Sequence, residues 1–132
     1  MSLVLDSSMT LAWYFEDERT EERTAVLHRV TEEGAIVPVH WRLEVLNGFQ
    51  AALRRRRIDR AYRNSSLVDL DALLITIDGE TNRAAWAATL QLSDQFRLTA
   101  YDAAYLELAL RCRLPLATWI EVSMRGLAVA GK

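Results

Sequence analysis

Four short apolar segments, separated by much longer helix-like stretches, constrain the fold of this chain more than any other feature. They are residues 3–5, 35–37, 75–77 and 115–118. Strands that alternate with helices imply right-handed crossovers and a mostly parallel sheet. We therefore predict an α/β fold in which a central sheet of four to five short strands carries helices on both faces. At 132 residues, the chain suits a single domain spanning residues 1–132.

The helices follow from apolar periodicity and from residues that favour helix ends. Val45, Phe49 and Ala52 recur at helical spacing, and Ser7 and Ser8 are predicted to cap the first helix. The predicted helices cover residues 7–16, 18–33, 41–57, 60–74, 80–97 and 101–113, and a last helical stretch follows residue 118. The helix over 101–113 is apolar almost all round and should be buried. The helix over 80–97 should turn four residues inward: Ala84, Ala87, Ala88 and Leu92.

Composition removes several classes of chemistry. The only lysine is Lys132, so lysine Schiff bases, P-loops and serine–lysine dyads are excluded. His28 and His40 have no cysteine or histidine nearby at ligand spacing, which disfavours a zinc site. The chemistry must then depend mainly on carboxylates, hydroxyls and arginines.

The cellular setting is also predicted from composition. A lone cysteine, Cys112, forms no internal disulfide, which is typical of a reducing cytoplasm. No apolar stretch is long enough to span a bilayer, and the N-terminus lacks a basic leader. We therefore expect a cytoplasmic protein with no membrane partner.

Three acids stand inside sequence that otherwise reads as core. Asp6 closes the apolar run of residues 3–5, Glu44 lies within residues 41–46, and Asp102 lies within residues 98–106. An ionised carboxylate is costly to bury unless a cation or hydrogen-bond donors satisfy it. If the fold brings the three acids together, their mutual repulsion would call for a divalent metal.

Each acid also has a purely structural explanation. Asp6, between a strand and a helix, is a normal N-cap worth about 1 kcal/mol. Thr99 and Asp102 have the form of a capping box. Glu44 could belong to a partly exposed stripe, since the neighbours that follow it on the helix are small or polar: Asn47, Gly48 and Ala51.

Arginines and aromatic residues leave two further alternatives open. The run over residues 54–57 could bind phosphates, although a solvated helix C-terminus is the better explanation. Aromatic residues more often belong to cores or interfaces than to base-stacking surfaces. Among them, Trp13, Tyr14 and Phe15 lie beside a charge run and could form a partner surface.

Four segments resemble the conserved blocks of PIN-domain proteins, especially the VapC toxins of bacterial toxin–antitoxin pairs. The segments are Val4-Leu5-Asp6-Ser7-Ser8, residues 37–47 with Glu44 and Asn47, residues 98–106 around Asp102, and Leu114-Pro115-Leu116-Ala117-Thr118. They occur in the family's order and at similar separations, and they cover nearly the whole chain.

The resemblance implies a PIN-like three-layer α/β/α sandwich and a ribonuclease that depends on Mg²⁺ or Mn²⁺. It also implies an RNA substrate, a cognate antitoxin protein and a homodimer. By the same resemblance, Asp6, Glu44 and Asp102 are the catalytic, metal-binding acids. The supporting polar residues that carry over are Ser8, Asn47 and Thr118.

The sequence departs from the family pattern after the fourth block. The family usually places an acid two residues after the threonine, and here that residue is Ile120, with Glu121 beside it. We expect Glu121 to compensate at best in part, so that metal binding is weak and favours Mn²⁺. The short terminal strand of many family members is also expected to be missing.

Two other functions are compatible with the sequence. A catalytically inactive PIN-like module would bind RNA or an antitoxin without cutting. A phosphoacceptor domain would use an aspartate at a strand end, but the chain lacks the lysine and the second acid next to Asp6 that such chemistry needs.

Overall fold

The fold is built on a parallel five-stranded sheet. The computed structural model describes residues 2–118 and 129–130. The strands are Val4–Leu5 (β1), Ala35–Val37 (β2), Ile75–Ile77 (β3), Leu116–Ala117 (β4) and Val129–Ala130 (β5). They are ordered β3-β2-β1-β4-β5, and every neighbouring pair is parallel. The predicted α/β/α architecture and its four strands are confirmed. The expectation of a missing terminal strand is wrong, because β5 pairs with β4.

The helices agree with the predicted order but are mostly shorter. They are Ser7–Ala12 (α1), Glu21–Glu33 (α2), Trp41–Arg54 (α3), Arg60–Asp71 (α4), Thr81–Ala84 (α5), Leu90–Phe96 (α6) and Ala100–Cys112 (α7). A 3₁₀ turn over Glu16–Glu18 separates α1 from α2. Asp59 caps α4 through a 2.8 Å hydrogen bond from the Tyr62 N–H. The last helical stretch predicted after residue 118 lies outside the described residues.

A π-helical turn interrupts the stretch predicted as one helix over residues 80–97. It covers Ala85–Thr89 and joins α5 to α6. Each π turn holds an extra residue, so it rotates the following side chains away from the 3.6-residue pattern. Ala87 and Ala88 are consequently exposed, and Thr89 is buried instead. The prediction that both alanines face inward is wrong for this reason.

The helices form two groups around the sheet. In one group α1 contacts α2 and α3, and α3 contacts α4; in the other, α7 packs against the segment from α5 to α6. Helix α7 also lies against β1 and β4, and residues 103–109 are all buried. The predicted burial of this helix is confirmed.

Two of the three aromatic residues proposed as a partner surface belong to the core. Trp13 and Phe15 are 4% and 7% exposed, and Tyr14 is partly buried with its ring edge-on to Phe49. Phe15 also meets Phe49 edge-on, with 6.0 Å between ring centroids. The prediction of a partner surface here is therefore wrong, because two of the three rings are buried and the Tyr14 and Phe15 rings pack against Phe49 of α3.

A buried ion-pair network fixes α7 to the end of β3. Arg111 donates two hydrogen bonds to Asp78, at 2.7 and 3.1 Å, and two to Glu107, at 2.9 and 3.0 Å. Both acids are about 95% buried. The hydrogen bonds from Arg111 hold the pKa of Asp78 below its ordinary value. This network fixes the helix that carries Asp102.

The strand order places a crevice between β1 and β4. From β1 the chain proceeds outward to β2 and β3 on one side, and β4 and β5 lie on the other. In open parallel sheets, ligands bind beyond the carboxyl ends of the strands where the order reverses in this way. Asp6 follows β1 and Thr118 follows β4, so both lie at this position.

Within the described residues, no helix has the length and apolar character needed to cross a membrane.

Candidate functional site

Asp6 is a buried carboxylate held by neutral donors. It is 3% exposed and accepts hydrogen bonds from the Ser8 N–H at 2.8 Å and from Thr118 Oγ1 at 2.9 Å. Burial raises the pKa of Asp6 above its ordinary value, and the hydrogen bonds from Ser8 and Thr118 lower it in part. The ionised form is therefore disfavoured in this structure.

Glu44 reaches the same site from the first turn of α3. Its Oε1 accepts a 2.6 Å hydrogen bond from the Tyr105 hydroxyl and lies 3.3 Å from Ser7 Oγ. Ser7 Oγ is also 3.4 Å from Asp6 Oδ1, so a single hydroxyl links the two acids. Burial and the hydrogen bond to Glu44 raise the pKa of Tyr105 well above its usual range, so this phenol stays protonated and donates.

Asp102 lies in the first turn of α7, facing the other two acids. Thr99 caps this helix by accepting the Asp102 N–H at 3.1 Å. Burial, followed by the negative charge of Glu44, raises the pKa of Asp102. Asp102 in turn contributes to the raised pKa of Asp6. The three acids thus repel one another at one end of the sheet.

Two of the acids, Asp6 and Asp102, take part in helix capping as well as in the acid cluster. Asp6 is the N-cap of α1, so the prediction that Ser7 and Ser8 cap that helix is wrong. The N-cap half of the predicted capping box is present, because the Thr99 hydroxyl accepts the Asp102 N–H. The same hydroxyl also interacts with the Asp102 carboxylate. Capping explains the backbone contacts, but it does not explain why Asp6 Oδ1 and Glu44 Oε1 both approach the Ser7 hydroxyl.

No strong cation neutralises the acids within the described part of the chain. None of the arginines in residues 2–118 forms an ion pair with Asp6, Glu44 or Asp102. The nearest basic group is His40, whose Nε2 is 3.6 Å from Glu44 Oε1. Buried carboxylates are normally paired or bound to a metal, and no arginine within residues 2–118 supplies that pairing.

The donor set fits a hydrated divalent cation. Carboxylate oxygens are hard ligands of the kind that Mg²⁺ and Mn²⁺ take, and Mg²⁺ commonly keeps several of its waters. The buried Ser8 Oγ lies close enough to Asp6 to lower the pKa of that carboxyl, yet it makes no well-formed hydrogen bond. Among residues 2–118, no three acidic, histidine or cysteine side chains form a ready-made cage for an ion. A cation that the acids bind through its waters fits both the unbonded Ser8 hydroxyl and the lack of a three-ligand cage within residues 2–118.

The structure places two of the predicted supporting residues at the site. Ser8 and Thr118 both contact Asp6. Asn47 is exposed on α3, and no hydrogen bond joins it to the three acids within the described residues. Its predicted supporting role remains a prediction. Ile120 and Glu121 lie outside the described residues.

Sequence reasoning missed three residues that organise the site. Ser7 lies between two of the acids, Tyr105 donates to Glu44, and the His40 ring packs edge-on against Tyr105 with 5.2 Å between centroids. His40 precedes Glu44 by four residues, and Tyr105 follows Asp102 by three. Helical spacing alone would have placed each of them beside an acid.

Taken together, the sheet order and the acid cluster define a parallel α/β domain with a carboxylate site at the crevice beyond its strands. The chain belongs to the PIN domain family, whose model matches residues 3–119. PIN domains are generally nucleases that need metal ions. No curated protein matches the sequence.

Proposed function

We propose that this protein is an endoribonuclease toxin of the VapC type, which hydrolyses RNA phosphodiester bonds with Mg²⁺ or Mn²⁺. The observation that carries the proposal is the convergence of Asp6, Glu44 and Asp102 with no arginine partner among the described residues. The negative charge of such a site is not balanced by these residues. A divalent cation, alone or bound to an RNA phosphate, would balance it.

The residues have separate roles in this proposal. Asp6, Glu44 and Asp102 would hold the ion and its waters. Thr118 orients the Asp6 carboxylate, and Tyr105 orients Glu44. When bound, the ion lowers the pKa of a water and neutralises charge on the phosphate oxygens. Because burial and a neighbouring negative charge raise the pKa values of Asp6 and Asp102, a bound cation would favour their ionised forms.

The deciding experiment compares RNA cleavage by the wild type and by Asp6→Asn in Mn²⁺ and in Mg²⁺. The substitution keeps the cap and the shape of Asp6 but removes its charge, so cleavage should fall by at least about 100-fold. Asp94→Asn, which neutralises an exposed acid on α6, is the matched control and should cut like the wild type. Cleavage that persists in Asp6→Asn would refute the proposal.

The position where the family usually has an acid, which is Ile120 in this chain, gives a second test. If Ile120 leaves the ion poorly held, Ile120→Asp should raise both metal affinity and cleavage rate. Isothermal titration should show weak binding to the wild type and a preference for Mn²⁺. Tight Mg²⁺ binding by the wild type would contradict this part of the proposal and would favour compensation by Glu121.

An inactive PIN-like module that binds RNA or an antitoxin is the second candidate. The observation in its favour is that residues 2–118 contain no ready-made three-residue metal cage. Retained RNA binding without cleavage in any metal, by the wild type and by Ile120→Asp, would favour this candidate over the nuclease.

An apolar groove supports the proposed antitoxin partner. A pocket of about 360 Å³ lies between α3, α4 and β3, and exposed Leu43 and Leu46 form part of its wall. Amphipathic helices bind in grooves of this kind. Co-expression with the product of a small adjacent reading frame should give a complex that Leu43→Arg disrupts. Leu43 is 70% exposed, so the variant should fold normally.

The proposed homodimer has a separate candidate surface. Trp86 is 93% exposed in the π turn, and Leu90 and Leu110 are exposed on the helices that pack beside it. A large bare tryptophan is typical of an interface centre. Light scattering should give the mass of a dimer for the wild type and of a monomer for Trp86→Glu. A monomeric wild type would rule out the dimer.

A further inference from the structure

One aromatic ring beside the acids is exposed and held in place. Tyr101 precedes Asp102 directly, and its side chain is 61% exposed although most of α7 is buried. A large aromatic residue so open to solvent contributes little to the core. Its position next to a metal-site acid therefore raises the question of what covers it.

Tyr101 is braced by the same residues that organise the acids. His40 packs edge-on against its ring with 5.5 Å between centroids, and the His40 Nε2 lies 3.2 Å from the Tyr101 carbonyl oxygen. His40 also contacts Glu44 and Tyr105. A short chain of contacts thus connects the Tyr101 ring to the acids, and the ring is pre-positioned before any ligand binds.

We propose that Tyr101 is a stacking platform for one unpaired RNA base next to the cleaved phosphate, a proposal that rests on the proposed function. Single-stranded RNA is recognised by stacking its bases on aromatic side chains. The chain has a net charge of −2, so its overall electrostatic attraction to the phosphates of RNA is weak. Base stacking supplies binding that does not depend on charge.

The platform also predicts which RNA structures are bound. A base in a duplex is already stacked on its neighbours and cannot lie on the ring. Tyr101 should therefore favour RNA with an unpaired base at the cleavage position and should have no effect on uninterrupted duplexes. Since every base has a π face, the platform should tolerate sequence changes.

The experiment measures binding in the Asp6→Asn background, where the proposed function predicts that cleavage is blocked. The probe is a single-stranded RNA oligonucleotide carrying 2-aminopurine at successive positions. One position should show strong fluorescence quenching by stacking. Tyr101→Leu keeps an apolar side chain but removes the ring, so it should abolish the quenching and weaken binding by about ten-fold. Tyr101→Phe should restore both, because the flat ring returns.

Controls separate the platform from general effects on folding or surface contacts. Tyr101 is exposed, so thermal unfolding of the Leu variant should match that of its background. Val68→Ala removes an exposed side chain on α4 and should bind RNA normally. Equal binding by Tyr101→Leu and Tyr101→Phe would overturn the proposal, as would a Tyr101→Leu loss of the same size on duplex RNA.

The kinetics distinguish failure of the platform from failure of the proposed function. With Asp6 intact and Mn²⁺ present, Tyr101→Leu should raise KM for single-stranded RNA and leave kcat nearly unchanged. A wild type that cuts RNA, with a Leu variant of unchanged KM, would refute the platform alone. A wild type that never cuts, with quenching that depends on the ring, would refute the nuclease and keep the platform as an RNA-binding element.

Discussion

Replacing Asp6 by asparagine should stabilise the fold while abolishing its response to metal. Asp6 is 97% buried, its hydrogen-bond partners are neutral, and Asp102 adds repulsion. Functional sites often carry charge that the folded state would be more stable without. Asparagine caps helices as well as aspartate does, so the change isolates the charge.

The size of the gain follows from two opposing effects. Burying a carboxylate costs several kcal/mol. Two well-formed hydrogen bonds, from the Ser8 N–H at 2.8 Å and from Thr118 Oγ1 at 2.9 Å, each recover about 1 kcal/mol more with a charged acceptor than with a neutral one. Asparagine can keep both contacts, because the threonine hydroxyl also accepts. The net gain at pH 7 should be about 1–2 kcal/mol, or about 3–8 °C in Tm.

The pH dependence gives the sign of the effect independently. Burial raises the pKa of Asp6 in the folded state, so the folded wild type binds a proton more readily than the unfolded chain. The wild type therefore loses stability as pH rises through the folded-state pKa of Asp6. The difference between Asp6→Asn and the wild type should be near zero in acid, below the unfolded-state pKa, and largest at neutral pH.

Calorimetry with chelator and with Mn²⁺ tests both parts. In chelator at pH 7, the Tm of Asp6→Asn should lie above that of the wild type. The Tm of Asp94→Asn should equal that of the wild type. Added Mn²⁺ should raise the Tm of the wild type but not that of Asp6→Asn, since only a binding-competent native state is stabilised by the ion. A Tm for Asp6→Asn at or below that of the wild type in chelator would refute the electrostatic reasoning.

Three further substitutions test features of the scaffold. Arg111→Met leaves Asp78 and Glu107 buried without a cation, so urea unfolding should show a loss of about 3 kcal/mol in the free energy of unfolding. Because the pKa of Asp78 is lowered in the folded state, the wild type should lose this stability as pH falls through that pKa. The variant should not show this loss. Gly34→Ala should cost about 2 kcal/mol in the same assay, since residue 34 has a φ of +74° and an added Cβ would lie 2.8 Å from a backbone carbonyl oxygen. Arg113→Gly should raise Tm by a few degrees, about 0.5–1 kcal/mol, since Arg113 ends α7 at a φ of +55° that glycine adopts freely; an unchanged Tm would mean that the arginine side chain offsets the strain.

Local sequence patterns determined most of the secondary structure. Strand 75–77 and the cap at Asp59 were predictable because each depends on residues next to one another in the chain. The π turn was not, since it arises where α5 and α6 must both pack on α7. Strand β5 was missed because two residues, Val129 and Ala130, are too short a signal without their partner β4.

The sequence by itself determined the parallel α/β fold and the three acids that interrupt apolar segments. Asp6 and Asp102 each had an adequate capping explanation, and Glu44 could belong to a partly exposed stripe, so the sequence could not decide whether the three acids met. Only the tertiary structure decided that Asp6, Glu44 and Asp102 converge, because strands β1 and β4 end, and helices α3 and α7 begin, at one edge of the sheet. It also assigned Ser7 and Tyr105 to the site, since their contacts with Glu44 join residues far apart in the chain.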